Sequence, residues 1–312
     1  MTTLYYSSPY ITEFYQRVSA EAQKLTQNYE IIFVNDGSPD DSLEVALALY
    51  KQDKQVKIID LSRNFGHHKA IMTGLSYAKG ELVFLIDSDL EEEPEFLSLF
   101  YEKYQEKANI DVVYGVQRKR KGNFFERITG WFYFKLFNLL STHPIPTNLI
   151  TARLMSQRYV KALVSHQERE INFSGLAAIT GFNQIPMVIV KHFKGKSTYN
   201  FNKKISIVVN GITSFSNKPL KIVFYLGFFI SFLSSLAAIS LVVRKILFNS
   251  ILAGWSSLIV SVWLLGGLTI FCLGLIGLYI AKVFSETKQR PYTIVRNIYE
   301  YPNFNSNEPV QQ

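Results

Sequence analysis

The chain has 312 residues, 48% of them hydrophobic and 14% aromatic, and its 33 Lys and Arg exceed its 25 Asp and Glu for a net charge of +8. A single cysteine, Cys272, excludes a disulfide framework and a cysteine-ligated zinc site. The apolar residues concentrate after position 220, so the basic excess points to a membrane surface or phosphorylated ligands and away from nucleic acid.

The first residues lack the basic start and long apolar stretch of a secretory signal. Residues 1 to about 5 read as the end of a strand, and Ile11 to Gln27 has helical spacing. Ile31 to Val34 is a β-branched, apolar run that predicts a buried strand. It stops in Asn35-Asp36-Gly37-Ser38, a turn leading to a helix over Leu43 to Lys51. A strand over Val56 to Leu61, a loop Ser62 to Gly66 and a helix over His67 to Ala78 follow. Leu82 to Ile86 is the next strand, with Pro94 opening a helix to Lys107, and Val112 to Val116 is a further strand. Strands alternating with helices predict a doubly wound α/β domain, with 1–200 as its outer bounds. Within them, the basic run Arg118 to Lys121 precedes an aromatic-rich helix over Phe124 to Phe137 with interfacial character. Residues 141 to 190 read as loops and short helices with one late strand near Ile185 to Val190.

Residues 201–221 read as a juxtamembrane amphipathic helix. Ile222 to Val243 is 22 residues without a charge. As a helix it spans about 33 Å, enough for a bilayer core. Trp255 to Ala281 is a second uncharged run, with Gly266, Gly267, Gly274 and Gly277 for close helix contact. Lys203, Lys204, Lys218 and Lys221 precede the pair, and Lys282, Lys288, Arg290 and Arg296 follow it. The link holds only Arg244 and Lys245, so both ends are expected on the cytoplasmic side, with 282–312 as a cytoplasmic tail.

The chemistry centres on Asp87-Ser88-Asp89, where an apolar strand breaks off into carboxylates. Neighbours at i and i+2 of an extended chain point the same way. Asp87 and Asp89 can then share a hard cation, Mg2+ or Mn2+, with a diphosphate supplying further oxygens. The plainer reading is a solvated acidic turn with Asp89 capping a helix. Asp36, at a neighbouring strand end, can accept hydrogen bonds from a base edge. Arg118, Arg120 and Lys121, or the lysines between Lys191 and Lys204, can receive an anionic lipid head group. His67 and His68 are adjacent at a helix start and diverge there, which argues against a shared metal.

Several ordered motifs then resemble one family. They are Phe33-Val-Asn-Asp-Gly-Ser38, Leu61-Ser-Arg-Asn-Phe-Gly66, Asp87-Ser-Asp-Leu90 with Pro94-Glu95, Val113-Tyr-Gly115, Arg153-Leu-Met155 and Gly211-Ile-Thr-Ser-Phe-Ser216. With the paired apolar runs, the chain resembles family 2 glycosyltransferases of the polyprenyl-phosphate type, similar to GtrB-like and dolichyl-phosphate mannose synthase-like enzymes. The resemblance implies a GT-A nucleotide-sugar domain joined to a two-helix transmembrane hairpin. It implies inverting transfer of a sugar from a nucleotide-sugar, UDP-linked by preference, to undecaprenyl or dolichyl phosphate, with Mg2+ or Mn2+. It assigns Asp89 to the metal, Asp87 to the metal and diphosphate, Asp36, Arg63 and Tyr5 to the nucleotide-sugar, and Arg153, Lys196 and Ser197 to phosphate. It also implies a homo-oligomer, a tetramer in relatives. Two other readings compete: a nucleotide-sugar sensor or assembly subunit with a degenerate site, and a processive polysaccharide synthase. The second is weaker, because two membrane helices line little of a channel and a Gln-x-x-Arg-Trp signature is missing. The chain departs from the pattern in three places. Only Tyr5 matches the opening Pro-x-Tyr-Asn-Glu, Thr151 stands where relatives carry an Asp, and Glu92 and Glu93 replace Asp-Pro.

Overall fold

A computed structural model of the chain describes residues 1–117, 148–189, 218–248 and 254–301. Arg118, Arg120, Lys121, the aromatic helix over 124–137, Lys196, Ser197 and the juxtamembrane segment before Lys218 therefore lie outside the described residues. The described chain forms two units. One is α/β and holds 1–117, 148–189 and 290–301, and the other holds the helical residues of 218–248 and 254–289.

In the α/β unit the first five predicted strands are all present: β1 (Thr2–Leu4), β2 (Ile31–Asn35), β3 (Val56–Leu61), β4 (Leu82–Leu85) and β5 (Val112–Gln117). Helices α1 (Ile11–Leu25), α2 (Ser42–Gln52), α3 (His67–Ser76) and α4 (Phe96–Gln105) connect them. β1, β2 and β3 run parallel, with Phe33 opposite Thr2 and Ile58. The Met1 nitrogen donates to Phe84 O at 2.8 Å and Ile86 N donates to Met1 O at 3.3 Å, a parallel pairing that seats β4 beside β1.

The second half of the sheet departs from a purely parallel arrangement. Leu149–Ser156, expected among loops and short helices, is an eight-residue strand, β6. It lies between β4 and β5, antiparallel to both, with Arg153 opposite Leu85 and Tyr114. Helices α5 (Gln157–Val164) and α6 (Phe173–Ile179) lead to β7 (Gln184–Ile189), parallel to β5. Residues 290–301, read as part of a tail, carry an eighth strand, β8 (Val295–Tyr299), antiparallel to β3.

Strand alternation divides the core between the two sheet faces. Ile31, Phe33 and Ile58 pack with Phe14 and Val18 of α1, Leu49 of α2 and Phe100 of α4. Ile32 and Val34 point the other way, toward α3, where a Cβ on Gly74 would come within 2.6 Å of Val34 Cγ2.

The helical unit consists of α7 (Lys218–Phe248) and α8 (Trp255–Thr287), which contain both predicted apolar runs. By length and composition Ser261–Thr287 is apolar enough to cross a membrane. Phe228, Trp263 and Phe271 are exposed, a surface that suits an apolar surrounding.

Candidate active site

Strands β1, β2, β3 and β4 end at Leu4, Asn35, Leu61 and Leu85. Tyr5, Asp36, Arg63 and Asp87 thus follow strand ends on one carboxyl edge, where open α/β sheets bind ligands. Asp36 is 2% exposed and accepts from Phe65 N at 2.7 Å and Gly66 N at 3.0 Å. Its carboxylate, expected to meet a base edge, already holds the 62–66 loop against the β2 turn. Burial pushes the Asp36 carboxyl above its ordinary value, and the two amides offset only part of that. Gly37 makes the approach of the turns feasible. Its φ is +58°, and a Cβ there would fall 2.4 Å from the Arg63 carbonyl carbon and the Asn64 nitrogen. Arg63 is exposed, with its guanidinium 4.1 Å from the Phe65 ring centroid. Tyr5 is exposed and stands edge-on to Tyr6.

Around the carboxylate pair, exposure alternates along the chain. Ser88 is buried and donates to Thr3 O at 3.0 Å, while Asp87 and Asp89 on either side are half-buried. Asp89 Oδ1 accepts from Glu91 N at 2.9 Å in a tight turn, and Leu90 takes a left-handed φ of 58°. The β4–β6 register carries Thr151 to the level of Asp87, and its hydroxyl donates to Asp87 Oδ2 at 2.8 Å. His67 Nε2 lies 3.5 Å from Asp87 Oδ1. Glu92 is fully buried and accepts from Thr151 N at 3.2 Å and Ala152 N at 2.8 Å, so it ties the acidic loop to β6.

Arg153 is 3% exposed. It donates to Thr151 O at 3.2 Å and Ile150 O at 3.3 Å, and its guanidinium is 4.5 Å from the Phe173 ring centroid. Among the described residues it has no carboxylate within ion-pair distance, and burial draws its pKa below the ordinary arginine value. It lines a cleft of about 280 Å³ with His67, His68, Thr151, Phe173 and Ser174. The structure therefore brings Asp87 and Arg153 to one place through Thr151, and Asp36 and Arg63 to the adjoining loop. Sequence reasoning missed Glu92 as a brace and His68 as a cleft residue. The signal for Glu92 was its position beside the acid pair. For His68 it was only the uncommon His-His start of a helix.

The acid pair suits a divalent ion in its chemistry. Both residues are hard oxygen donors, and both remain half-exposed at a strand end. Among the described residues no cluster of three or more His, Cys, Asp or Glu has metal-site geometry.

The model of the family described as "Glycosyl transferase family 2" matches residues 2–164. A Mycobacterium tuberculosis protein, described in general terms as a glycosyltransferase, is 52% identical over 299 residues, covering 96% of this chain and 87% of that protein. The uncharacterized glycosyltransferase YkcC of Bacillus subtilis is 37% identical over 94% of this chain and 91% of its own. The bactoprenol glucosyl transferase of Shigella phage SfV is 32% identical over 92% of this chain and 94% of its own. Glucosyl-3-phosphoglycerate synthase from Mycobacterium tuberculosis superposes on 68% of this chain and 77% of its own with a TM-score of 0.48 and 14% identity, too loose a likeness to carry residues or ligands across. The family match over more than half of the chain, with full-length relatives of the same kind, shows that this chain belongs to glycosyl transferase family 2 and is a glycosyltransferase.

Proposed function

We propose that the chain transfers a sugar, with inversion, from a UDP-linked nucleotide-sugar to undecaprenyl or another polyprenyl phosphate at the cytoplasmic face of the membrane, with Mg2+ or Mn2+ at Asp87 and Asp89. The observation that carries the reading is the pairing of opposite charges: Asp87, the first of the two strand-end carboxylates, contacts Thr151 and His67 of a cleft that the buried Arg153 also lines. The name of the phage relative, a bactoprenol glucosyl transferase, supports the lipid acceptor.

In this reading Asp36 and Gly37 set the 62–66 loop, and Tyr5 and Arg63 flank the nucleotide. A bound divalent ion supplies charge neutralisation for the leaving diphosphate. Arg153 holds the acceptor phosphate. One of the phosphate oxygens attacks the anomeric carbon as the bond from that carbon to the diphosphate breaks, and the nucleoside diphosphate leaves with the electron pair. A phosphate monoester is largely ionised at neutral pH, its second pKa being about 6, so it attacks without a strong base. That agrees with Thr151, whose hydroxyl donates a hydrogen bond to Asp87 and is no base.

Connectivity supports a membrane arrangement for the helical unit. The chain leaves the α/β unit before Lys218 and has rejoined it by Arg290, so a crossing stretch between them crosses an even number of times. That favours α7 and α8 as a hairpin with both ends cytoplasmic.

The test is transfer of label from UDP- and GDP-sugars into an organic-extractable lipid, using membranes that contain the chain and undecaprenyl phosphate. One donor should label the lipid, and EDTA or Asp89→Asn should abolish the product while the protein stays folded. Undiminished transfer by Asp89→Asn would sink the metal assignment. No lipid product from any donor would sink the acceptor.

A further inference from the structure

His68 has no part in the reading above, and its geometry gives it one. Its Nδ1 lies 3.3 Å from Ile171 O. A carbonyl oxygen only accepts, so Nδ1 must carry the proton in that bond. The neutral ring then keeps a lone pair on Nε2, which has no partner among the described residues. The ring surface is reachable from the cleft it lines, and an imidazole, even at its ordinary pKa of about 6.5, is mostly neutral at physiological pH. Arg153 offers only donors to the same cleft, and Asp87 is connected to it through Thr151 and His67. An unprotonated nitrogen repels a phosphate oxygen and welcomes a hydroxyl hydrogen. A sugar attached to a diphosphate held at Asp87 presents such hydroxyls.

We infer that His68 Nε2 accepts a hydrogen bond from a hydroxyl of the transferred sugar, making His68 a residue that recognises the donor's sugar and not its nucleotide. The inference rests on the transfer reading, in that it takes the cleft beside Asp87 to hold the donor sugar.

Calorimetry on the full chain in detergent tests it with UDP, UDP-glucose, UDP-N-acetylglucosamine, GDP and GDP-mannose. At least one nucleotide-sugar should bind the wild type more tightly than its bare diphosphate. His68→Phe should weaken that ligand by about three- to tenfold, the worth of one hydrogen bond, and leave the bare diphosphate unchanged. His68→Gln, whose amide oxygen can accept, should keep part of the difference. Should the variants not fold, labelled histidine nitrogens in the wild type report the same contact. The His68 Nε2 resonance should have the unprotonated character without ligand and shift with the nucleotide-sugar but not with the diphosphate. The inference is overturned if no nucleotide-sugar outbinds its diphosphate, if the difference survives His68→Phe, or if both ligands weaken equally. Binding that behaves as expected without any lipid-linked product would remove the transfer reading and leave the His68 contact standing.

Discussion

At Thr151 the chain departs from the Asp of the resembling enzymes, and the structure gives the departure a physical context. The Thr151 hydroxyl donates to Asp87 Oδ2, where an Asp would set a second negative charge against the first. Thr151→Val should leave Asp87 short of one hydrogen bond and lower kcat about tenfold, with Thr151→Ser near wild type; steady-state transfer kinetics measure both. The Asp87/Asp89 pair was legible because an apolar strand stops abruptly at it. Glu92 was not, because its function as a brace depends on β6 amides 59 and 60 positions away. His68 was equally hidden, since the bond that sets its tautomer reaches Ile171, 103 residues on.

Among the elements, β2 was readable as an apolar, β-branched run ending in turn residues, and β3 and β5 by their β-branched residues, despite Lys57 and Asp60 in β3. β6 and β8 were not. β6 carries Thr151 and the buried Arg153, and its C-terminal half is buried without alternation, so neither period showed. β8 is a half-polar edge strand whose partner lies more than 230 positions upstream. Its Arg296 donates to Ser62 O at 2.6 Å and lies 3.6 Å from the buried Asp60, which accepts from Asn35 Nδ2 at 2.8 Å. Ser62 N also donates to Ile294 O at 2.9 Å. β8 thus grips the loop that Asp36 grips from the other side. Arg296→Ala should loosen that loop and weaken nucleoside diphosphate binding several-fold, while Asp89→Asn should affect only the metal-dependent part; paired titrations with and without Mg2+ separate the two.

For the molecule as a whole, the α/β class and the two long apolar helices were plain in the sequence, while the mixed strand order was not. Several surface and edge ion pairs tie distant segments of the α/β unit together. Arg17 holds the Glu95 carboxyl below its ordinary value, and Lys79 and Lys57 do the same for Glu300 against the opposing effect of burial. A lowered carboxylate stabilises the fold above its unfolded pKa, and that contribution is lost as pH falls through the folded one. Thermal stability of the full chain should therefore hold from neutral pH down to the Glu reference value of 4.5 and decline below it. Glu300→Gln should flatten part of that decline in a series of melting curves.

The position of β8 also orders events during synthesis. Among the described residues every other strand is made before Lys218, but β3 lacks its β8 partner until residues beyond 290 have emerged. By then both apolar helices have been made. The described sheet therefore closes only after the two long apolar helices have left the ribosome, and until then the growing chain carries an open strand edge that a chaperone, or a neighbouring nascent copy, is able to capture.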